Sequence, residues 1–195
     1  TPSSFSMLNN EWGYVFEKLE NTGKGRNYGV ELTFEKFLTR GLYFMLSNSL
    51  YESEYQGSDG IWRDTRFNGQ YANSFVAGKE WNWKRNRTFG VNMRVMHLGG
   101  LRASPIDLEA SREAGETVRD ESHAFEDQMP AYFRLDAGVR LKRNRANSTH
   151  TVSLDLQNAT NRANVYGQHY NPDDDKIEYS YQAPLIPVLS YKVEF

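Results

Sequence analysis

Apolar and polar residues alternate one for one through several stretches of this chain, and a period of two belongs to strands rather than helices. The pattern is plainest at the end, where Leu189, Tyr191, Val193 and Phe195 share one face while Ser190, Lys192 and Glu194 share the other. Three more segments obey the same rule. In 28–36, Val30, Leu32 and Phe34 oppose Glu31, Thr33 and Glu35. In 133–141, Phe133, Leu135, Ala137, Val139 and Leu141 oppose Arg134, Asp136, Gly138 and Arg140, and in 151–157, Val152, Leu154 and Leu156 oppose Thr151, Ser153, Asp155 and Gln157. Segments 42–51, 71–83 and 89–97 follow with isolated exceptions at Asn48, Asn73 and Lys79. The expectation is an all-β fold of seven strands with no long helix.

The connections carry the topology. Phe37 to Gly41, Lys84 to Arg87 and Lys142 to Ser148 are short and rich in Arg, Lys, Asn and Gly, whereas 52–70, 98–131 and 158–184 are long and polar. Short and long alternate strictly. An antiparallel up-and-down meander then has all short turns on one rim and all long loops on the other, as in outer-membrane barrels.

Alternation alone does not say which face meets water: a soluble sandwich turns its apolar face inward, a membrane barrel turns it toward lipid. Three features favour lipid. A loop as long as 98–131 is uncommon in a compact soluble domain. Glu, Arg, Asp or Lys stands on the polar face of nearly every strand, as a wet lumen tolerates, and Tyr43, Trp81, Trp83, Tyr132 and Tyr191 fall near strand ends, where aromatic girdles sit. No run approaches the ~18 apolar residues of a membrane helix, but a spanning strand needs only about 9–11 alternating ones. The formal charge of -2 gives no pull toward nucleic acid, and the absence of Cys excludes disulfides and thiolate metal sites.

Several stretches together resemble the C-terminal part of a TonB-dependent outer-membrane receptor of the Bacteroidetes type. They are NTGKGRNYGVELTFEK (21–36), SDGIWRDTRFNGQY (58–71), GKEW (78–81), GGLRASPIDL (99–108), YFRLDAGV (132–139), SLDLQNATNRANVY (153–166) and PLIPVLSYKVEF (184–195), in order along almost the whole chain. The resemblance implies a roughly 22-stranded barrel plugged by a separate N-terminal domain. Such a barrel imports a scarce nutrient such as a ferric siderophore, cobalamin or an oligosaccharide through the bacterial outer membrane. On this reading residues 1–195 are the C-terminal portion of the barrel, about seven strands of a larger wall, with the plug and its TonB contact elsewhere. The first ~26 residues are expected to end an extracellular loop that enters the first strand at Tyr28. Tyr191, Val193 and Phe195 match the terminal signal read by the barrel-assembly machinery. Expected partners are membrane lipid, the TonB complex through the plug, that machinery and a surface lipoprotein. Two other readings fit the alternation: a plug-less adhesion barrel, and a soluble carbohydrate-binding β-sandwich.

Candidate sites lie in the long loops. Tyr55, Asp59, Trp62, Arg63 and Arg66 combine stacking surfaces with guanidinium forks suited to a polar substrate carrying carboxylate or phosphate. The same Asp and Arg residues also suit pairing with one another to order the loop. Loop 98–131 carries Glu109, Glu113, Glu116, Asp120, Glu121 and His123, but no His pair at metal-ligand spacing. NPDDDK (171–176) lacks the Gly and trailing Glu of a calcium loop and reads as an exposed turn, and Asn158 and Asn161 read as turn formers. The chain has no nucleophile elbow, HExxH or Cys, so no catalytic residue, cofactor or metal is assigned.

Overall fold

The computed structural model describes residues 3–7, 18–84 and 86–195. Seven long strands form one antiparallel sheet: β1 (Lys24–Thr39), β2 (Leu42–Gln56), β4 (Tyr71–Trp83), β5 (Arg87–Leu98), β8 (Tyr132–Asn144), β9 (Thr149–Gln157) and β12 (Ile186–Glu194). They pair in the order β1-β2-β4-β5-β8-β9-β12, each with its predecessor among these seven. All seven expected strands are present, most running a few residues longer than the alternation marks. The entry strand starts at Lys24 rather than Tyr28, and residues 1–2 and 8–17 of the expected preceding loop lie outside the described residues. β1 and β12 do not pair with each other, so the sheet is open, with two free edges.

Register decides whether the strands' apolar stripes add up. Phe34 pairs with Leu46, Leu46 with Phe75, Phe75 with Val95 and Val95 with Leu135. A second row runs Val91, Val139, Leu154, Leu189, and a third runs Trp81, Phe89, Leu141, Val152, Tyr191. Because side chains alternate faces, a slip of one residue anywhere would break these rows. None occurs across them, so these rows line one face of the sheet, which is interrupted where Asn48 pairs with Asn73 and Asn73 with His97, and at Lys79 between Leu42 and Val91. The opposite face carries rows such as Thr33, Ser47, Ser74, Met96, Arg134 and Glu80, Gly90, Arg140, Ser153, Ser190.

The apolar face has no cover among the described residues. Val30 and Leu189 on the edge strands are 73% and 75% exposed, and in mid-sheet Val139 is still 42% exposed. Burial is found elsewhere: the buried larger side chains are Tyr55, Ala124 and Tyr170 with Asn68, Ser104, Ser111, Asn158 and Asn164, all at or beyond the strand ends that lead into long connections.

Short and long connections fall on opposite rims as expected. Arg40-Gly41, 84–86 and 145–148 make one rim; 57–70, 99–131 and 158–185 make the other. The long ones are not featureless. They hold β3 (Trp62–Asp64) against β2, the pair β6 (Arg102–Ala103) and β7 (Asp127–Gln128), helix α1 (Leu108–Ala114), a 3-10 turn at Glu121–His123, and the hairpin β10 (Val165–Asn171) with β11 (Lys176–Tyr181). One expectation needs correcting. Trp81, Trp83 and Tyr191 share the apolar parity, but Tyr43 pairs with Gly78 and Tyr132 with Leu98, both on the polar parity. The Tyr43 ring lies over Gly78, where any Cβ would strike it, so this tyrosine fills the gap left by a glycine on the polar face.

Candidate functional site

The long-loop rim is built outward from β2, whose extension beyond Leu50 leaves β4 but stays paired with β1 as far as Lys24 and Gln56. β3 folds back on that extension, pairing Trp62 with Gln56, Arg63 with Tyr55 and Asp64 with Glu54. Its turn is closed by the Ile61 amide donating to Asp59 Oδ1 at 3.1 Å and by Gly60 with φ of 77°. A left-handed backbone of that kind favours glycine.

This geometry divides the five sequence-selected residues. Tyr55 is 1% exposed, edge-on to Phe125 with ring centroids 6.0 Å apart. With Arg66 it lines a cavity of about 470 Å³. Trp62 and Arg63 line a different cavity, of about 400 Å³, beside His123 and Glu126. Arg63 forms an ion pair with Asp59 at 2.8 Å, and the Arg26 guanidinium sits 4.3 Å over the Trp62 ring while bonding Glu54 at 2.6 Å. Asp59 lines neither cavity. Asp64 pairs with Arg102 at 3.0 Å and accepts from Asn68, which also donates to Glu52. Ion pairing therefore uses much of the loop's charge, once within the loop, at Arg63 and Asp59, and twice to Arg26 and Arg102 outside it.

Connection 99–131 is tied down by caps. Asp107 accepts from the Ala110 amide at 3.0 Å at the start of α1, and Gly115 closes its end with φ of 71°. Asp120 accepts from the Ser122 amide at 2.9 Å and holds His123 Nδ1 at 2.7 Å. The Ser122 hydroxyl, which also donates to Asp120 Oδ1, then His123 and the Ser122 amide hold the Asp120 carboxyl down at about 2, from an ordinary 3.8, and Asp120 raises the His123 imidazole above its ordinary 6.5. The signs oppose. The His123 contribution is complete below 6.5 and is lost as pH rises through the raised value; the Asp120 contribution is present above 3.8 and is lost as pH falls toward about 2. An imidazole titration followed by NMR should place the His123 midpoint above 6.5, and Asp120→Asn should lower it toward that value, with Glu126 left to raise it. An unmoved midpoint in the variant would show that the pair does not form in solution. Among the described residues no group of three or more His, Asp or Glu is arranged to hold a metal ion.

In connection 158–185, NPDDDK is the turn of the β10–β11 hairpin. Asn171 Oδ1 accepts from the Asp173 amide at 3.0 Å, Lys176 pairs with Asp174 at 2.7 Å, and Asp175 accepts from Arg112 of α1 at 2.6 Å and from Tyr170 at 2.9 Å. Asn158 and Asn161 have φ of 50° and 51°, as turn formers do. Asn164 imitates a strand partner: its side chain accepts from the Phe133 amide at 2.9 Å and donates to the Phe133 carbonyl at 2.8 Å.

The polar-face charges pair mostly along their own strands, Arg134 with Asp136 at 2.6 Å and Lys192 with Glu194 at 2.8 Å. Arg140 reaches over Gly90 to bond Glu80, two strands away. At the C terminus Tyr191 donates to or accepts from His150 Nδ1 at 2.7 Å, Val193 is half-buried, and Phe195 follows the last strand fully exposed.

Residues that sequence reading does not select complete the larger cavity. Arg119 donates to the Ser104 carbonyl at 2.7 Å and the Gln168 carbonyl at 3.0 Å, joining two long connections. Burial lowers its pKa, with Glu121 acting in the opposite sense and Arg66 in the same. Comparison with protein-family models, curated proteins and solved structures finds no match to this chain.

Proposed function

We propose that this chain is the C-terminal portion of the barrel wall of a TonB-dependent receptor in a bacterial outer membrane. Its role would be import of a scarce nutrient: a ferric siderophore, cobalamin or an oligosaccharide. The observation that carries the reading is the mainly apolar face, which spans seven strands with breaks at Lys79 and along Asn48, Asn73 and His97, and is open to its surroundings. In water so large an uncovered apolar surface is an aggregation hazard. Against lipid it is the favourable solvent match, and the opposite face, with its ion pairs, meets an aqueous lumen. The two free edges of the sheet fit further strands of the same wall. Loops gathered on one rim would capture the substrate, and the work done is binding followed by energised passage rather than bond chemistry. Family resemblance supplies the remaining parts: a plug that contacts the TonB complex, recognition of Tyr191, Val193 and Phe195 by the assembly machinery, and a surface lipoprotein as companion.

Since the chain has no Cys, single-cysteine substitutions give an uncluttered test. In the full-length protein in outer-membrane vesicles, Cys at 190, 192 and 194 should react with a membrane-impermeant maleimide and Cys at 189, 191 and 193 should not. Equal labelling at both parities would refute the membrane face. Loss of growth of a deletion strain on one member of a panel of iron complexes, cobalamin and glycans would identify the cargo.

A further inference from the structure

We infer that the larger loop cavity binds a ligand whose carboxylate is attached to a six-membered ring. The inference deepens the import reading by naming a substrate class, and depends on that reading only for what becomes of the ligand afterward.

The cavity, of about 470 Å³, falls in the range of small-molecule sites. Among the described residues its ionic lining is Arg66, Arg102, Arg119 and the carboxylate of Glu121, with Arg119 the residue that meets the ligand. Arg102 is matched by Asp64 at 3.0 Å. Arg119 is not so matched: the two bonds described for it go to neutral carbonyls, and it forms no ion pair with another described residue. A guanidinium fixed by two carbonyls keeps further N–H donors, and a carboxylate is the acceptor that fits their planar fork. Its backbone is fixed too, since Ile106 bridges Arg119 and the adjacent Asp120 amide donates to the Pro105 carbonyl at 2.9 Å. The site is therefore organised before the ligand arrives.

The remaining lining calls for a ring. Phe5, Phe125 and Tyr166, the last 66% exposed, line the cavity, whereas Tyr55, 1% exposed and edge-on to Phe125, has no face free for a ligand. Flat apolar faces next to a fixed cation suit either an aromatic ring or the C–H face of a pyranose, and both exist with a ring-borne carboxylate.

The test is equilibrium binding to the purified full-length protein in detergent, with digalacturonate and 2-naphthoate as probes. Neutral galactobiose and 2-naphthamide are the controls, together with ring-free acetate. At least one ring carboxylate should bind, with its neutral counterpart weaker by about tenfold or more, the size of a charge-assisted hydrogen bond. The two probes separate sugar acids from aromatic acids. Arg119→Gln should weaken binding by about tenfold, while Glu121→Gln should strengthen it, because it removes a carboxylate that lines the cavity and acts on Arg119. Opposite signs distinguish a ligand contact from a general loss of loop structure. Tyr166→Ser, at an exposed position, should weaken binding without affecting folding. Equal binding of the neutral counterparts or of acetate, or no binding by protein with an intact near-UV spectrum, would overturn the inference. Those failures would leave the cysteine alternation along residues 189–194 untouched, so the site and the membrane reading fall separately.

Discussion

Val139→Arg should sharply reduce the folded protein recovered from outer membranes, whereas Ser74→Arg should leave it near wild type. Val139 lies mid-strand between Val91 and Leu154 on the apolar face and is 42% exposed. In water, an exposed side chain of this kind tolerates a charge within about 0.5 kcal/mol. Facing hydrocarbon near the bilayer middle, the same arginine costs about 2–4 kcal/mol. The two environments thus predict different outcomes from one substitution. Ser74 pairs with Ser47 and Met96 on the other face, where on the proposed reading an added guanidinium would extend into a wet lumen. Folded fractions can be read from heat-modifiable migration and from urea midpoints in detergent. Equal recovery of the two variants would mean that no lipid contacts Val139, and the membrane reading would fail with it.

The long strands were legible because their signal is local and redundant: each repeats a two-residue period several times, and seven in sequence leave little freedom of order. The register that unites their stripes was not legible, since pairing Phe75 with both Leu46 and Val95 is a relation between distant segments. The girdle failed at Tyr43 and Tyr132 for a related reason. Proximity to a strand end does not fix the face, and parity puts both residues on the polar one. Some missed elements carried usable signals. Asp107 three residues before Ala110, and Gly115 after a run of Glu, Ala and Arg, are the ordinary start and stop of a helix, and Ile177, Tyr179 and Tyr181 alternate after the Asp-rich turn. In the cavity, Tyr55 and Arg66 were selected from one loop, but Arg119 acquires its meaning only when connection 99–131 meets connection 158–185.

Gly99→Ala should damage the loop rim while sparing the middle of the sheet. Gly99 donates to the Tyr71 carbonyl at 2.9 Å where β4 begins and β5 ends, and there the backbones of Gly69 and Gly99 approach so closely that a Cβ at 99 would overlap the Gly69 carbonyl. The obstacle is backbone, not a movable side chain. Accommodating it forces the two strand ends apart, at about 1–3 kcal/mol or more by analogy with overpacked cores. The consequences spread along one set of bonds. The Arg102 amide donates to the Arg66 carbonyl at 2.8 Å, Arg102 Nε donates to the Asn68 carbonyl at 3.2 Å, and the Met129 amide donates to the Leu101 carbonyl at 2.8 Å, so these bonds hold together the part of the cavity lining made by Arg66, Leu101, Arg102 and Met129. Amide exchange should therefore accelerate at 66–70 and 99–103 while mid-strand amides near Val76 and Met93 stay protected, and affinity for ring carboxylates should drop with it. If exchange at those amides and the urea midpoint both match wild type, the two strand ends are farther apart than described and the cavity does not depend on their contact.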